Sequence, residues 1–264
     1  MIGSTDETKN IIDTFILENS QNNNLEIKYF YQENQGKMTA INNLIKYVGD
    51  SELLIECDSD DYFSDNFVKI LIEKYELIKE KNNIYALCFL KNDENLCNIG
   101  SLFKEDNYET NMFNLYFKDG ILGDKLLVYV TNIRKQYNYI LEKNEKFSTE
   151  ARMHNKMDKK YNIICFNTPI MICKYLNEGY SKNIKKIFKE NPLGYYEYFK
   201  QLLSFNMNKV LFSKRLYIIK HYILFSYLSK QKNILKNTNS FLNKVLIIIL
   251  YIPGIIKSYI YEKS

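Results

Sequence analysis

From Ser4 onward the chain alternates between two hydrophobic rhythms. Ser4 and Glu7 have the spacing of a capping box, and Ile11, Ile12, Phe15 and Ile16 follow at helical intervals. A helix is therefore predicted almost from the first residue. Residues 25–29 (Leu-Glu-Ile-Lys-Tyr) then alternate apolar and polar, as a half-buried strand does. Across 37–48, Met38, Ile41, Leu44, Ile45 and Val48 share one helical face, and 53–57 is a short, mostly apolar run that reads as the next strand. Phe67, Ile70, Leu71, Leu77 and Ile78 mark a helix over about 65–81, and a strand follows at 85–90. This α-β-α-β-α-β order predicts a mostly parallel sheet covered by helices, with ligands bound beyond the carboxyl ends of its strands.

Past Leu90 the rhythm weakens. One strand is discernible near 99–103 within the segment 92–123. A strand at 125–130, a helix at about 149–159 and strands near 162–166 and 169–175 complete an α/β body expected over 1–180. After Gly179 the pattern is wholly helical and Lys-rich, so 181–264 reads as a basic helical extension. No internal repeat is present.

Composition adds little, because 46% hydrophobic and 25% charged residues are ordinary for a globular chain. Five cysteines without a CxxC pair suggest reduced, mostly buried thiols in a cytoplasmic protein. Two histidines are too few for a His-rich zinc site. The N-terminus has neither the basic stretch nor the apolar run of a signal peptide.

Charge is more informative. Residues 181–264 carry 15 Lys/Arg and three acids, whereas 1–180 carry 21 bases and 28 acids. A basic tail on an acidic body implies an anionic partner, either a membrane surface or nucleic acid. Lys182, Lys185, Lys186 and Lys189 fall on a predicted amphipathic helix, and Lys244 and Lys257 flank an apolar run over 245–256 that contains Pro253-Gly254. That run is too short to span a bilayer. It can lie in the interface, with the lysines meeting anionic lipid, or pack as a helix on the body. No nucleic-acid motif accompanies the lysines, so nucleic acid is the less favoured anion.

The candidate chemistry centres on Asp58-Ser59-Asp60-Asp61, directly after a predicted strand. Clustered carboxylates repel unless a cation or strong donors neutralise them, and hard oxygen ligands suit Mg²⁺ or Mn²⁺. Such an ion can draw off the charge that develops when a diphosphate leaves. A solvated turn capping the next helix competes with the metal reading at this point. An EF-hand fails on Phe63 and Lys69 at its sixth and twelfth positions. Upstream, Gly36-Lys37 at a helix start can offer backbone donors and a cation to phosphate, but it lacks the GxxxxGK(S/T) spacing of a P-loop.

The run GSTDET, followed by ENQGKMTAINNLIKYVGDSELLIECDSDDYF, resembles family 2 glycosyltransferases of GT-A fold. The later run GDKLLVYVTN…EKFSTEARMHNKMDKKYNIICFNTPIMICKYLNEGYSKN resembles their bacterial cell-surface polysaccharide subgroup. The resemblance covers Gly3 to about Asn183. It implies that Asp58 and Asp60 hold the metal and diphosphate, that Asp61 lies beside them at the donor site, and that Lys37, Asn42 and Asp6 face the nucleotide. It implies an inverting enzyme whose general base is Glu150, with Glu145 as the alternative. Read structurally instead, Glu150 sits in the first turn of a helix capped by Ser148.

The resemblance further implies a donor nucleotide sugar (a UDP-sugar by family habit) and a cell-surface or lipid-linked glycan acceptor at the inner face of the cytoplasmic membrane. Family members begin with an apolar strand, a helix and a second strand ending in two acids. Met1-Ile2 stands where those acids belong, so the first strand is expected to be missing. The competing function is an inactive, membrane-associated remnant or partner of such an enzyme.

Overall fold

The computed structural model describes residues 3, 4, 6–174 and 184–263, with side chains as far as Ile256. Met1-Ile2, the expected boundary at 180, Lys182 and the side chain of Lys257 lie outside what is described. The chain forms two compact units, Met1–Gly49 and Asp50–Ser264.

The first unit holds helix α1 (Thr8–Glu18) and helix α2 (Lys37–Leu44), the latter running into a 3₁₀ turn at Ile45–Tyr47. The expected capping box does not form. Asp6 Oδ1 instead accepts the backbone N–H of Thr8 (3.1 Å), while Glu7 bonds the Asn10 side chain. Gly36 starts α2 at φ 89°, a left-handed conformation that glycine adopts without a Cβ clash. The helix buries Met38 and Ala40, and Ile45 follows them inward. Residues 25–29 are no strand. The alternation is there, but a strand needs a neighbour for its N–H and C=O groups, and this unit forms no ladder among its described residues.

The second unit is built on a six-stranded sheet: β1 (Leu53–Ile55), β2 (Tyr62–Phe63), β3 (Ile84–Asp93), β4 (Tyr108–Thr110), β5 (Leu126–Val130) and β6 (Asn162–Cys173). The order is β1-β5-β3-β6-β2, with β4 also on β6. The α/β architecture is as expected, but the sheet is not mostly parallel: among the described residues β3–β6 is its one parallel pairing, and β2 and β4 both lie antiparallel to β6. β3 and β6 pair parallel, whereas β5 lies antiparallel to both β1 and β3. β1, β3 and β6 therefore run the same way, with β5 inserted against them. The 85–90 run is apolar throughout because β3 is central and buried on both faces.

Helix α3 (Phe67–Tyr75), helix α4 (Thr131–Arg134) and helix α5 (Ala151–Met157) lie between strands. Leu71 and Ile78 pack with Leu87, Phe89, Val128, Ile164 and Phe166 in one core. The two strands expected at 162–166 and 169–175 are one bulged strand, with register shifts opposite Phe89–Lys91. The strand expected at 99–103 is a loop. Gly100 and Gly123, both at positive φ, approach so closely that a Cβ on either would lie 2.6 Å from the other's Cα. Asn167 holds the same loop through the N–H and C=O of Phe103. A π-helical turn at Asn114–Lys118 went unpredicted; buried Asp158 ties its start to the sheet through the N–H of Phe113 (2.8 Å) and the Tyr85 hydroxyl (3.0 Å).

Beyond the sheet come α6 (Ile184–Glu190), α7 (Pro192–Leu203), α8 (Phe212–Leu228) and α9 (Phe241–Lys263). Their core is rich in aromatic side chains, including Tyr195, Tyr196, Phe199, Tyr222 and Phe225, and it also takes in Phe113 and Phe117. The helical character expected of this region holds for its described residues.

Candidate active site

The acidic loop leaves β1 through Glu56 and Cys57 and enters β2 at Tyr62. The carbonyl of Asp58 accepts the N–H of Asp61 (3.1 Å), which curls the loop into a turn. Asp58, Ser59 and Asp60 are exposed, and Asp61 is half-buried with its Oδ2 accepting the Cys173 thiol (3.4 Å). The helix-capping alternative does not hold: β2 intervenes, and α3 starts after Asn66 with no side-chain cap.

Both thiols beside the loop stay protonated. Burial, reinforced by Asp61 and Asp58, raises Cys57. Burial takes Cys173 to about 12 against the opposing influence of Lys91. Lys91, on β3, is thus a cation close enough to act on this carboxylate-rich corner. Among the described residues no three His, Cys, Asp or Glu side chains converge as metal ligands. The two exposed carboxylates of Asp58 and Asp60 suit an ion that takes its remaining ligands from water and phosphate oxygens, as Mg²⁺ commonly does.

Glu150 directly precedes α5, its carbonyl accepting the N–H of Met153 (2.9 Å) and His154 (3.3 Å). Ser148 does not cap this helix; it is buried and meets the Arg152 guanidinium (3.5 Å). Glu145 is held elsewhere. Its two carboxylate oxygens accept the N–H groups of Leu193 and Gly194 (2.7 Å each), orphan donors at the start of α7. Burial raises its pKa despite those bonds. Both oxygens of this carboxylate are thus occupied as the cap of α7, which counts against Glu145 as the base. Asn191 Oδ1 accepts the N–H of Lys146 and Phe147, and Arg152 bonds Glu142 (2.7 Å) and the Ile140 carbonyl (3.3 Å). The segment leading to Glu150 is therefore held from both α5 and α7.

A buried polar group joins the two halves. Arg134 donates through Nε (2.9 Å) and Nη2 (2.7 Å) to Glu56 Oε1, and Tyr139 donates its hydroxyl to Glu56 Oε2 (2.5 Å). Arg134 also lies over the rings of Tyr129 and Tyr139. The Tyr129 hydroxyl meets His154 Nε2 at 2.9 Å. Burial, with Arg134 adding to it, pulls His154 down to about 3, so this imidazole is neutral. Burial raises the phenols of Tyr129 and Tyr139, and Glu56 and Glu150 both push in the same direction. Glu150 and the root of the acidic loop thus act on one pair of buried tyrosines.

Asp6, Lys37 and Asn42 belong to the first unit. Asp6 is exposed and held by Thr8, whose hydrogen bonds lower its pKa. Lys37 opens α2, and Asn42 lies about a turn and a half further along it.

The profile of glycosyl transferase family 2 matches residues 3–170. The chain belongs to that family. Among solved structures, S. aureus TarS (residues 1–349) superposes with a TM-score of 0.51 at 15% identity, covering 99% of this chain and 79% of that one. At that identity the likeness speaks for the fold. No curated protein matched the chain.

The surroundings of the acidic loop in this family 2 glycosyltransferase also hold residues that the sequence reading passed over. Glu56 looked like the polar end of an apolar strand. Arg134 and Tyr139 lie 78 and 83 positions from it, and no local pattern couples residues so far apart. Lys91 had a faint signal, a cation closing the apolar run of β3 at its carboxyl end.

Proposed function

We propose that this glycosyltransferase moves a sugar with inversion from a UDP-sugar to a cell-surface or lipid-linked glycan. An acceptor hydroxyl attacks the anomeric carbon opposite the diphosphate, and Glu150 takes its proton. Asp58 and Asp60 would hold a Mg²⁺ or Mn²⁺ ion, which neutralises charge on the departing diphosphate. Asp61 stands beside them, with Asp6, Lys37 and Asn42 assigned to the nucleotide. The observation that carries this reading is the match to family 2 over residues 3–170 together with the exposed carboxylates of Asp58 and Asp60 directly after β1. The test is titration calorimetry of UDP with Mn²⁺. The intact chain should bind, and Asp60→Ala should lose most of the affinity. Equal binding by the variant would refute the donor site.

We also place the enzyme at the inner face of an anionic membrane. No helix among the described residues is long and apolar enough to cross a bilayer. Helix α9 instead carries two apolar faces: Ile247, Leu250 and Ile255 pack on the helical core, while Phe241, Ile248, Ile249, Ile252 and Ile256 are exposed. Between Glu197 and Glu262 the chain has ten Lys/Arg and no acid. That charge disfavours a second copy on this face and favours anionic lipid. Sedimentation with phosphatidylglycerol vesicles should drop sharply for Ile248→Asp/Ile252→Asp. Undiminished binding would overturn the assignment.

A further inference from the structure

We propose that Arg134, Glu56 and Tyr139 form a positioning device that sets the acidic loop against Glu150, an inference resting on the donor-site reading of Asp58–Asp61. Arg134 is fully buried, and a buried guanidinium is costly unless it is paired and hydrogen-bonded. Here each of its three nitrogens donates. Two N–H groups meet Glu56 Oε1, Nη1 donates to the Tyr137 carbonyl (2.5 Å), and the plane lies over two tyrosine rings. Tyr139 holds the other oxygen of Glu56. Glu56 is therefore clamped at both oxygens, two residues ahead of Asp58. With its root fixed, the loop has few soft backbone torsions left before the first metal-facing carboxylate.

The clamp continues toward the base. Tyr139 is followed by Ile140, whose carbonyl accepts from Arg152 on α5, the helix that Glu150 precedes. Hydrogen bonds and a few peptide units thus run from the root of the acidic loop to the helix that starts after Glu150. A purely structural site between β1 and α4 has no such need of charge, since well-packed apolar residues often replace a buried ion pair at no loss of stability. None of the three residues is assigned to substrate contact. They are positioning residues.

Tyr139→Phe keeps the ring beneath Arg134 and deletes only the hydroxyl held by Glu56. Arg134→Lys keeps a charge but not the fork. For both variants, the melting temperature, the UDP–Mn²⁺ affinity and the split between kcat and the donor KM are to be measured. We expect Tyr139→Phe to remain folded, to bind UDP–Mn²⁺ about tenfold more weakly and to lose kcat at saturating donor. Arg134→Lys should lose more of both. A lower melting temperature with unchanged affinity and unchanged saturating kcat would reduce the triad to a structural brace and refute the proposal. If the unmodified chain itself fails to bind UDP with Mn²⁺, the donor-site reading falls and the proposal with it. Normal binding by the unmodified chain and by both variants overturns the positioning role alone.

Discussion

Arg134 and Arg215 are both buried, one at the site and one among the C-terminal helices, and they keep different company. Arg134 meets a carboxylate. Burial pulls its pKa down, but Glu56 and the two tyrosines outweigh that and leave it raised. Arg215 donates to Asn243 Oδ1 (2.8 Å) and Ser240 Oγ (3.1 Å), and burial alone lowers its pKa. Both partners of Arg215 are neutral, in a stretch that has no acid between Glu197 and Glu262. The helical region closes the start of α9 with neutral acceptors and stays cationic outside. The sheet region spends a carboxylate to fix the root of a loop. A buried arginine therefore marks a joint in one region and the root of the proposed donor loop in the other.

Removing each arginine is the strongest way to break that contrast. Arg134→Met leaves the Glu56 carboxylate without its cation and should cost about 3–5 kcal/mol. Arg215→Met strands only neutral acceptors and should cost about 1–3 kcal/mol. Urea unfolding measures both, and equal losses would erase the distinction. Within α9, Ile247→Ala should cost about 2–4 kcal/mol, because that side chain is 1% exposed. Ile252→Ala, at 70% exposed, should change stability by less than about 0.5 kcal/mol. A large loss at Ile252 would show that the outer face packs in the monomer.

The next effect depends on pH. The folded pKa of His154 lies near 3, below its ordinary 6.5, so the unfolded chain binds the proton first as pH falls. This contribution to stability is complete above about 6.5 and is lost toward pH 3, at about 1.4 kcal/mol per unit. Burial raises Asp158 to about 7, which opposes this loss, so the His154 share of about 2 kcal/mol between pH 6.5 and 5 is to be read as the difference in slope between the chain and His154→Gln. A slope unchanged in the variant would assign the effect to other groups. The smallest effect concerns the segment leading to Glu150. A Cβ on Gly194 would lie 2.8 Å from Glu145 Oε2, so Gly194→Ala should push that carboxylate off the α7 N-terminus at a cost of about 1 kcal/mol. Chemical denaturation of the variant checks it.

What was legible in the sequence was what is local. The apolar run of β3 declares a strand buried on both faces, and the acids after β1 stand together in the chain. Residues 25–29 mislead because alternation reports a half-buried face and not the presence of a pairing partner. Residues 99–103 mislead because two glycines and the Asn167 side chain hold them where a ladder was expected. The insertion of β5 between β1 and β3 is a choice of neighbours that hydrophobic period does not encode. Glu145 stood as the alternative base because the N–H groups that occupy it lie 48 and 49 residues away. The clamp on Glu56 was hidden for the same reason.

The central claim is that Glu150 is the base of a donor site whose metal-facing acids follow β1. Transfer rate and UDP–Mn²⁺ affinity, measured side by side for Glu150→Gln, test it most directly. The account predicts a loss of transfer of at least about a hundredfold, with the dissociation constant changed by less than about twofold. Retained transfer, or affinity and transfer falling together, would contradict it.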